Sequence, residues 1–107
     1  MSLTPRQRLT QRLNQLTQVD LPKVANERGY PVRLDHCFKR IVMDAACGQR
    51  WDKNIARPFY RHAPLLYLMT AVAIAQGMMD DPGLDVHTLN NRSLAYRGKK
   101  PKPLAST

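Results

Sequence analysis

The strongest secondary-structure signal in the sequence is residues 33–47, which read RLDHCFKRIVMDAAC. Apolar residues recur there at the three- and four-residue spacing of an amphipathic helix, and they are Leu34, Cys37, Phe38, Ile41, Val42 and Ala45. Gly48 follows and is expected to end the helix, because glycine readily adopts the left-handed conformation of a helix terminus. On a helical wheel the opposite face is basic, with Arg33, His36, Lys39, Arg40 and Arg50. The segment therefore predicts one helix with a core face and a cationic face.

The sequence before this helix predicts two further helices. Residues 4–18 begin with Thr-Pro-Arg-Gln, a capping-box pattern with proline at the first helical position. The apolar stripe of this first helix is narrow, consisting of Leu9, Leu13 and Leu16. Asp20 is expected to cap a second, short helix over residues 21–28, which Gly29 would end.

The sequence after Gly48 continues the helical pattern. Residues 51–61 mix aromatic and basic side chains around Pro58 and predict a short helix plus an irregular connection, the loop best suited to carry function. Residues 63–79 contain no charged side chain and predict the core helix, and Asp85 is expected to cap a last short helix. No segment alternates in the manner of a strand. We therefore predict an all-α, single-domain bundle of about four to five helices over residues 1–96, with a flexible, disordered basic tail over residues 97–107.

The charge of the chain favours an anionic partner. Seventeen Lys and Arg residues stand against eight Asp and Glu residues, for a formal net charge of +9. Solubility alone is the alternative explanation, but the Lys and Arg residues are segregated, since neither type occurs between His62 and Asn91. This segregation favours a small module that binds DNA or RNA through phosphate contacts. The candidate nucleic-acid-binding residues are Arg33, His36, Lys39, Arg40, Arg50, Lys53, Arg57, Arg61, Lys99, Lys100 and Lys102.

A protein-interaction adaptor is the alternative function. Two apolar surfaces are candidates for a protein partner or for a homodimer. One is the stripe of Leu9, Leu13 and Leu16, and the other is the methionine-rich part of the core helix, with Met69, Met78 and Met79.

Residues 21–40 faintly resemble a helix-turn-helix unit. The resemblance lies in Ala25, four residues before the turn glycine Gly29, and in Phe38 at a later core position. Pro31 and Asp35 depart from that pattern. The resemblance implies that Arg33, His36, Lys39 and Arg40 face a DNA groove. Arg33 and Arg40 lie about 20° apart on the wheel, so we expect both to be replaceable without any effect on the core.

A second resemblance is to short bacterial proteins that have no assigned function. It comprises the block His36-Cys37-Phe38-Lys39-Arg40-Ile41, then Gly48 and Trp51, and finally the segment from Asn90 to Gly98. The pattern spans about two thirds of the chain and implies no activity or ligand.

Metal binding, catalysis and membrane insertion are not predicted. Cys37, Cys47, His36 and His62 lack the paired spacing of zinc ligands, and Cys47 with His62 has no third orienting residue. No cofactor is expected. The apolar run over residues 63–79 falls short of a membrane span. Two cysteines and a polar, basic N-terminus favour the cytoplasm.

Overall fold

A computed structural model describes residues 2–81 and 83–101. Within these ranges the chain is helical and contains no strand, which confirms the all-α prediction. The α-helices are α1 (Pro5–Gln15), α2 (Leu21–Ala25), α3 (Asp35–Cys47), α4 (Phe59–His62), α5 (Leu65–Asp80) and α6 (Val86–Tyr96). A π-helical segment, Leu16–Asp20, joins α1 to α2, and a 3₁₀ turn, Trp51–Lys53, precedes α4. No helix in the described ranges is both long enough and apolar enough to cross a membrane.

The first two helices form one continuous helical rod. Its start is the predicted capping box, in which the Gln7 amide donates to Thr4 Oγ1 at 3.1 Å and the Thr4 amide donates to Gln7 Oε1 at 2.8 Å. The predicted break at Asp20 is wrong, because Asp20 has helical backbone angles and its carboxylate accepts a hydrogen bond from Gln15 Nε2. Pro22 cannot donate to the carbonyl four residues before it, and the wider π turns lie directly before this point.

The loop over residues 26–34 turns the chain back towards the core. Gly29 adopts a left-handed φ of 67°, as predicted, and the Tyr30 amide donates to the Ala25 carbonyl at 2.9 Å. Tyr30 Oη donates to the Met78 carbonyl at 2.7 Å, and Arg28 Nη1 donates to the Met79 carbonyl at 2.9 Å. These bonds satisfy carbonyls at the end of α5 that have no partner within the helix.

Helix α3 is the centre of the bundle. It packs against α5, α6 and the π-helical segment, and Phe38, Ile41 and Val42 are fully buried. Gly48 ends the helix with a φ of 67°, as expected. Helix α5 contributes Leu68, Ala71, Ala75 and Met78 to the core.

Only one side of α5 belongs to the core. The sequence predicts a core helix, but Leu66 is 66% exposed and Met69 is 49% exposed. Leu65 and Tyr67 are also exposed. The stretch without charged residues therefore forms two apolar faces of α5, of which one packs against α3 and the other is exposed.

A buried polar cluster fastens α6 to α3. We call Asp44, Arg97, Ser93, Arg40 and Asn90 the Asp44 cluster. Asp44 is fully buried and accepts hydrogen bonds from Arg97 Nε and Nη2, both at 2.9 Å, and from Ser93 Oγ at 2.6 Å. A buried carboxylate needs this degree of compensation, because loss of its hydration costs several kcal/mol.

The Asp44 cluster changes the predicted limit of the folded domain. We predicted that the flexible tail begins at Arg97, but the Arg97 side chain is almost buried against Asp44. The amides of Gly98 and Lys99 also donate to carbonyls at the end of α6. The folded part therefore includes Arg97, and residues 102–107 of the predicted tail lie outside the described residues.

Candidate nucleic-acid interface

Two open grooves share Tyr60, in the region where Arg6 of α1 is hydrogen-bonded to α4. The first groove has a volume of about 550 Å³. Arg6 and Arg61 supply its positive charge, and Tyr60 supplies an aromatic wall. The rest of its lining comes from the start of the chain and from α1: Leu3, Thr4, Gln7, Thr10 and Gln11.

The second groove also contains Tyr60 in its lining and has a volume of about 300 Å³. Its walls include the cations Lys39, from α3, and Arg57. Its lining is otherwise mostly apolar, with Leu13, Asn14, Met43, Trp51, Pro58 and Phe59. We refer to the two as the paired grooves. Both volumes fall in the size range of small-molecule sites.

Three contacts fix the position of the segment that contains Tyr60. Arg6 Nη1 donates to the Tyr60 carbonyl at 2.9 Å, which ties α4 to α1. The rings of Trp51 and Phe59 pack edge to face with centroids 5.4 Å apart. The Trp51 amide in turn donates to Asp44 Oδ1 at 3.0 Å. The grooves are therefore formed by a fixed backbone that is connected to the Asp44 cluster.

Two of the predicted binding arginines form an ion-pair group with Asp52. Asp52 Oδ1 lies 2.6 Å from Arg50 Nε, and Asp52 Oδ2 lies 2.5 Å from Arg57 Nη2. The hydrogen bond from Arg50, followed by that from Arg57, lowers the pKa of Asp52 to about 2. The Arg57 guanidinium also lies over the Trp51 ring, 5.2 Å from its centroid. Asp52 thus neutralises part of the positive charge at this edge.

The structure brings together some of the predicted site residues and separates others. Lys39, Arg57 and Arg61 line the paired grooves. Arg50 and Lys53 line a separate cavity of about 320 Å³ with Tyr96. Of the remaining predicted residues in the described ranges, four are exposed but line none of these cavities, namely Arg33, His36, Lys99 and Lys100. Lys102 lies outside the described residues.

Arg40 is not a free surface cation. The sequence analysis expects it to be replaceable without contact to the core, and that expectation is wrong. Arg40 Nη1 donates to Ser93 Oγ and Nη2 donates to Asn90 Oδ1, both at 2.7 Å. Burial lowers the pKa of Arg40, an effect that the nearby Cys37 and Asp44 partly offset. A helical wheel of α3 alone cannot show this, because the groups that Arg40 binds belong to α6.

The connection before α3 differs from that of a helix-turn-helix unit. Nine residues, 26–34, separate α2 from α3, whereas the motif uses a turn of three to four residues. Arg33 lies in this connection rather than on the helix. The four residues expected to face a DNA groove therefore have different environments, since Arg40 is in the Asp44 cluster and Lys39 lines the second groove.

Arg6 and Tyr60 line the paired grooves but are not among the binding residues predicted from the sequence. Tyr60 lies in the segment that was expected to carry function, so its aromatic side chain beside Arg61 was an available signal. Arg6 reaches the site across 54 positions in the chain. No local pattern could place it there.

One of the two predicted protein-interaction surfaces is buried. Leu13 and Leu16 pack in the core, where α1 and the π-helical segment contact α5, so the leucine stripe is not open to a partner or a second copy. Met78 is also buried. Met69 alone of the three predicted methionines is exposed, beside Leu65 and Leu66.

The cysteines and histidines of the described residues form neither a group of metal ligands nor an activated thiol. Within residues 2–81 and 83–101 no three His, Cys, Asp or Glu side chains are grouped in a way that suits a metal ion. Burial, and after it the charge of Asp44, raises the pKa of Cys47. A nucleophilic thiol needs the opposite shift.

The comparisons with known proteins find no relative. No family model, curated protein or solved structure matches this chain. The geometry and charge of the chain are therefore the basis of the functional assignment.

Proposed function

We propose that this protein binds nucleic acid, with contacts dominated by phosphate, at the paired grooves. The observation that carries the proposal is that the exposed Tyr60 lines both grooves, one of which also contains Arg61 and the other Lys39. Neither cationic side chain has a hydrogen-bonding or ion-pair partner among the described residues. Both remain available for anionic groups of a ligand.

The distribution of the other charges supports a polyanion rather than a small anion. Arg57 also lines the second groove, where its ion pair with Asp52 offsets part of its charge, and Arg6 lines the first groove. Exposed cations outside the grooves would add long-range electrostatic attraction for a polyanion without contacting particular phosphates. These cations are Arg33, Lys53, Lys99 and Lys100. A ligand with regularly spaced phosphates can contact several of these cations together.

The cytoplasm remains the compartment that we propose for this activity. The basis is the pair of unbridged cysteines, Cys37 and Cys47. A reducing compartment keeps such thiols free.

The test is a salt titration with a double variant, Lys39→Gln with Arg61→Gln. Binding of a fluorescently labelled oligothymidine would be measured by anisotropy between about 50 and 200 mM salt. If each cation contacts one phosphate, the slope of log affinity against log salt should fall by about 1.4, since each single-strand contact contributes about 0.7. Affinity at moderate salt should fall roughly tenfold or more.

The matched control is Lys23→Gln with Arg92→Gln. These two cations are exposed and line neither groove, so the control removes the same net charge from elsewhere. A smaller effect in the control supports binding at the grooves. Equal effects in the two double variants, or no measurable binding by the wild type, would refute the proposal.

A protein-interaction surface is the second candidate function. The observation in its favour is the exposed, charge-free face of α5 that contains Leu65, Leu66 and Met69. Contiguous apolar surface of this kind is common at protein interfaces. Leu66→Gln separates the two candidates, because it should leave oligonucleotide affinity unchanged if the paired grooves are the binding site.

A further inference from the structure

We propose that the preferred ligand is single-stranded nucleic acid, with one base stacked on the ring of Tyr60 and phosphates on either side of it. This inference rests on the proposed nucleic-acid-binding function and specifies its ligand class. The juxtaposition that carries it is an exposed aromatic side chain between two cationic grooves.

Tyr60 is the aromatic residue of the grooves that is open to a ligand. It is 51% exposed and lines both grooves, whereas Trp51 is 6% exposed and Phe59 is 4% exposed. An unpaired base has a free face that stacks on such a ring, and stacking of this kind tolerates any base. Arg61 lines the first groove and Lys39 lines the second, so each of the two grooves that share Tyr60 has a cation for the phosphates of a bound strand.

The backbone of Tyr60 is fixed before any ligand arrives. Arg6 holds its carbonyl, and the preceding residue, Phe59, is buried against Trp51. The following amides of Arg61 and His62 both donate to the Pro58 carbonyl at 3.2 Å. Binding therefore needs little ordering of the backbone, which reduces the entropic cost of association.

The same features fit a duplex poorly. In a duplex the faces of the bases are covered by their neighbours, and only base edges and phosphates are presented. Base edges are read by a helix or a β-ribbon that enters a groove, but residues 2–81 and 83–101 contain no strand, and on the basic face of α3 the Arg40 side chain is bound to α6. The site is instead concave with a stacking ring at its centre, which suits an extended single strand.

The test compares three probes of equal length: an oligothymidine, an abasic deoxyribose-phosphate strand and a double-stranded hairpin. The wild-type protein should bind the oligothymidine most tightly. Tyr60→Ala should weaken oligothymidine binding by roughly 5- to 150-fold, the range expected for one stacked base. The same variant should bind the abasic strand as the wild type does, and Tyr60→Phe should retain oligothymidine affinity.

Tyr67→Ala is the matched control, since Tyr67 is an exposed tyrosine of α5 that lines neither groove. Tighter binding of the hairpin, or equal loss in the Tyr60 and Tyr67 variants, would overturn the inference. If Tyr60→Ala has no effect while Lys39→Gln with Arg61→Gln weakens all probes, the inference fails and the proposed function stands. If the wild type binds none of the probes, both fail.

Discussion

The Asp44 cluster and the paired grooves use the same residue type in opposite ways. In the Asp44 cluster Arg40 and Arg97 are directed inward, and their guanidinium groups bind Asp44, Ser93 and Asn90. At the grooves Arg61 remains exposed and has no such partner in the described part of the chain. Fewer cations are therefore free to bind a ligand than the net charge of the chain indicates, because some of them stabilise the fold instead.

The comparison also shows how the two regions depend on each other. Asp44 binds Arg97, the residue directly after α6, and also accepts the amide hydrogen bond of Trp51, whose ring packs against Phe59 at the second groove. A change in the Asp44 cluster should therefore affect both stability and binding. A change at the rim of a groove should affect binding alone.

The largest decrease in the free energy of unfolding is expected for Asp44→Asn. The variant removes a negative charge that compensates the nearly buried Arg97, and loss of one partner of such a pair costs about 3–5 kcal/mol. Chemical denaturation should show a large decrease in the free energy of unfolding. Asp35→Asn, an exposed position on the same helix, should change it by less than about 1 kcal/mol. Similar stability of the two variants would show that the Asp44 cluster does not stabilise the fold.

A smaller effect is expected from Arg40→Gln. Asn90 is fully buried, its Nδ2 has no partner among the described residues, and its Oδ1 accepts the hydrogen bond from Arg40 Nη2 that this variant removes. We expect a loss of about 1–3 kcal/mol in the free energy of unfolding. Arg33→Gln, at an exposed position, should stay within about 0.5 kcal/mol of the wild type. Equal values for the two variants would contradict the inward role of Arg40.

The smallest effect concerns Asp52 and depends on pH. Its pKa is lowered to about 2 in the folded chain from an ordinary value of 3.8, so its ion pairs stabilise the protein above about pH 4. That stabilisation should diminish as the pH falls towards 2, because the unfolded chain binds the proton first. Denaturation of the wild type and Asp52→Asn should give a stability difference that is largest above pH 4 and decreases towards pH 2. A difference that does not change with pH would show that Asp52 carries no such shift.

Local sequence patterns correctly predicted most of the helix caps and helix ends. The capping box at Thr4, the glycine ends at Gly29 and Gly48, and the Asp85 cap of α6 all form as predicted, with Asp85 accepting from the His87 and Thr88 amides. These features depend on residues close together in the chain, and helical periodicity was enough to place the face of α3 that forms the core. The same local reasoning failed at Asp20, where packing continues the helix through π turns.

Which charged side chains and apolar faces remain exposed depends on contacts between helices, and these contacts are visible in the tertiary structure alone. Arg40 and Arg33 look equivalent on a wheel, yet α6 provides partners for Arg40 alone among the two. The leucine stripe is covered by α5, and Tyr60 becomes part of the paired grooves only where Arg6 of α1 is hydrogen-bonded to α4. The physical reason is that burial and hydrogen bonding depend on contacts between residues some 50 positions apart, whereas periodicity reports only which side of a single helix a residue occupies.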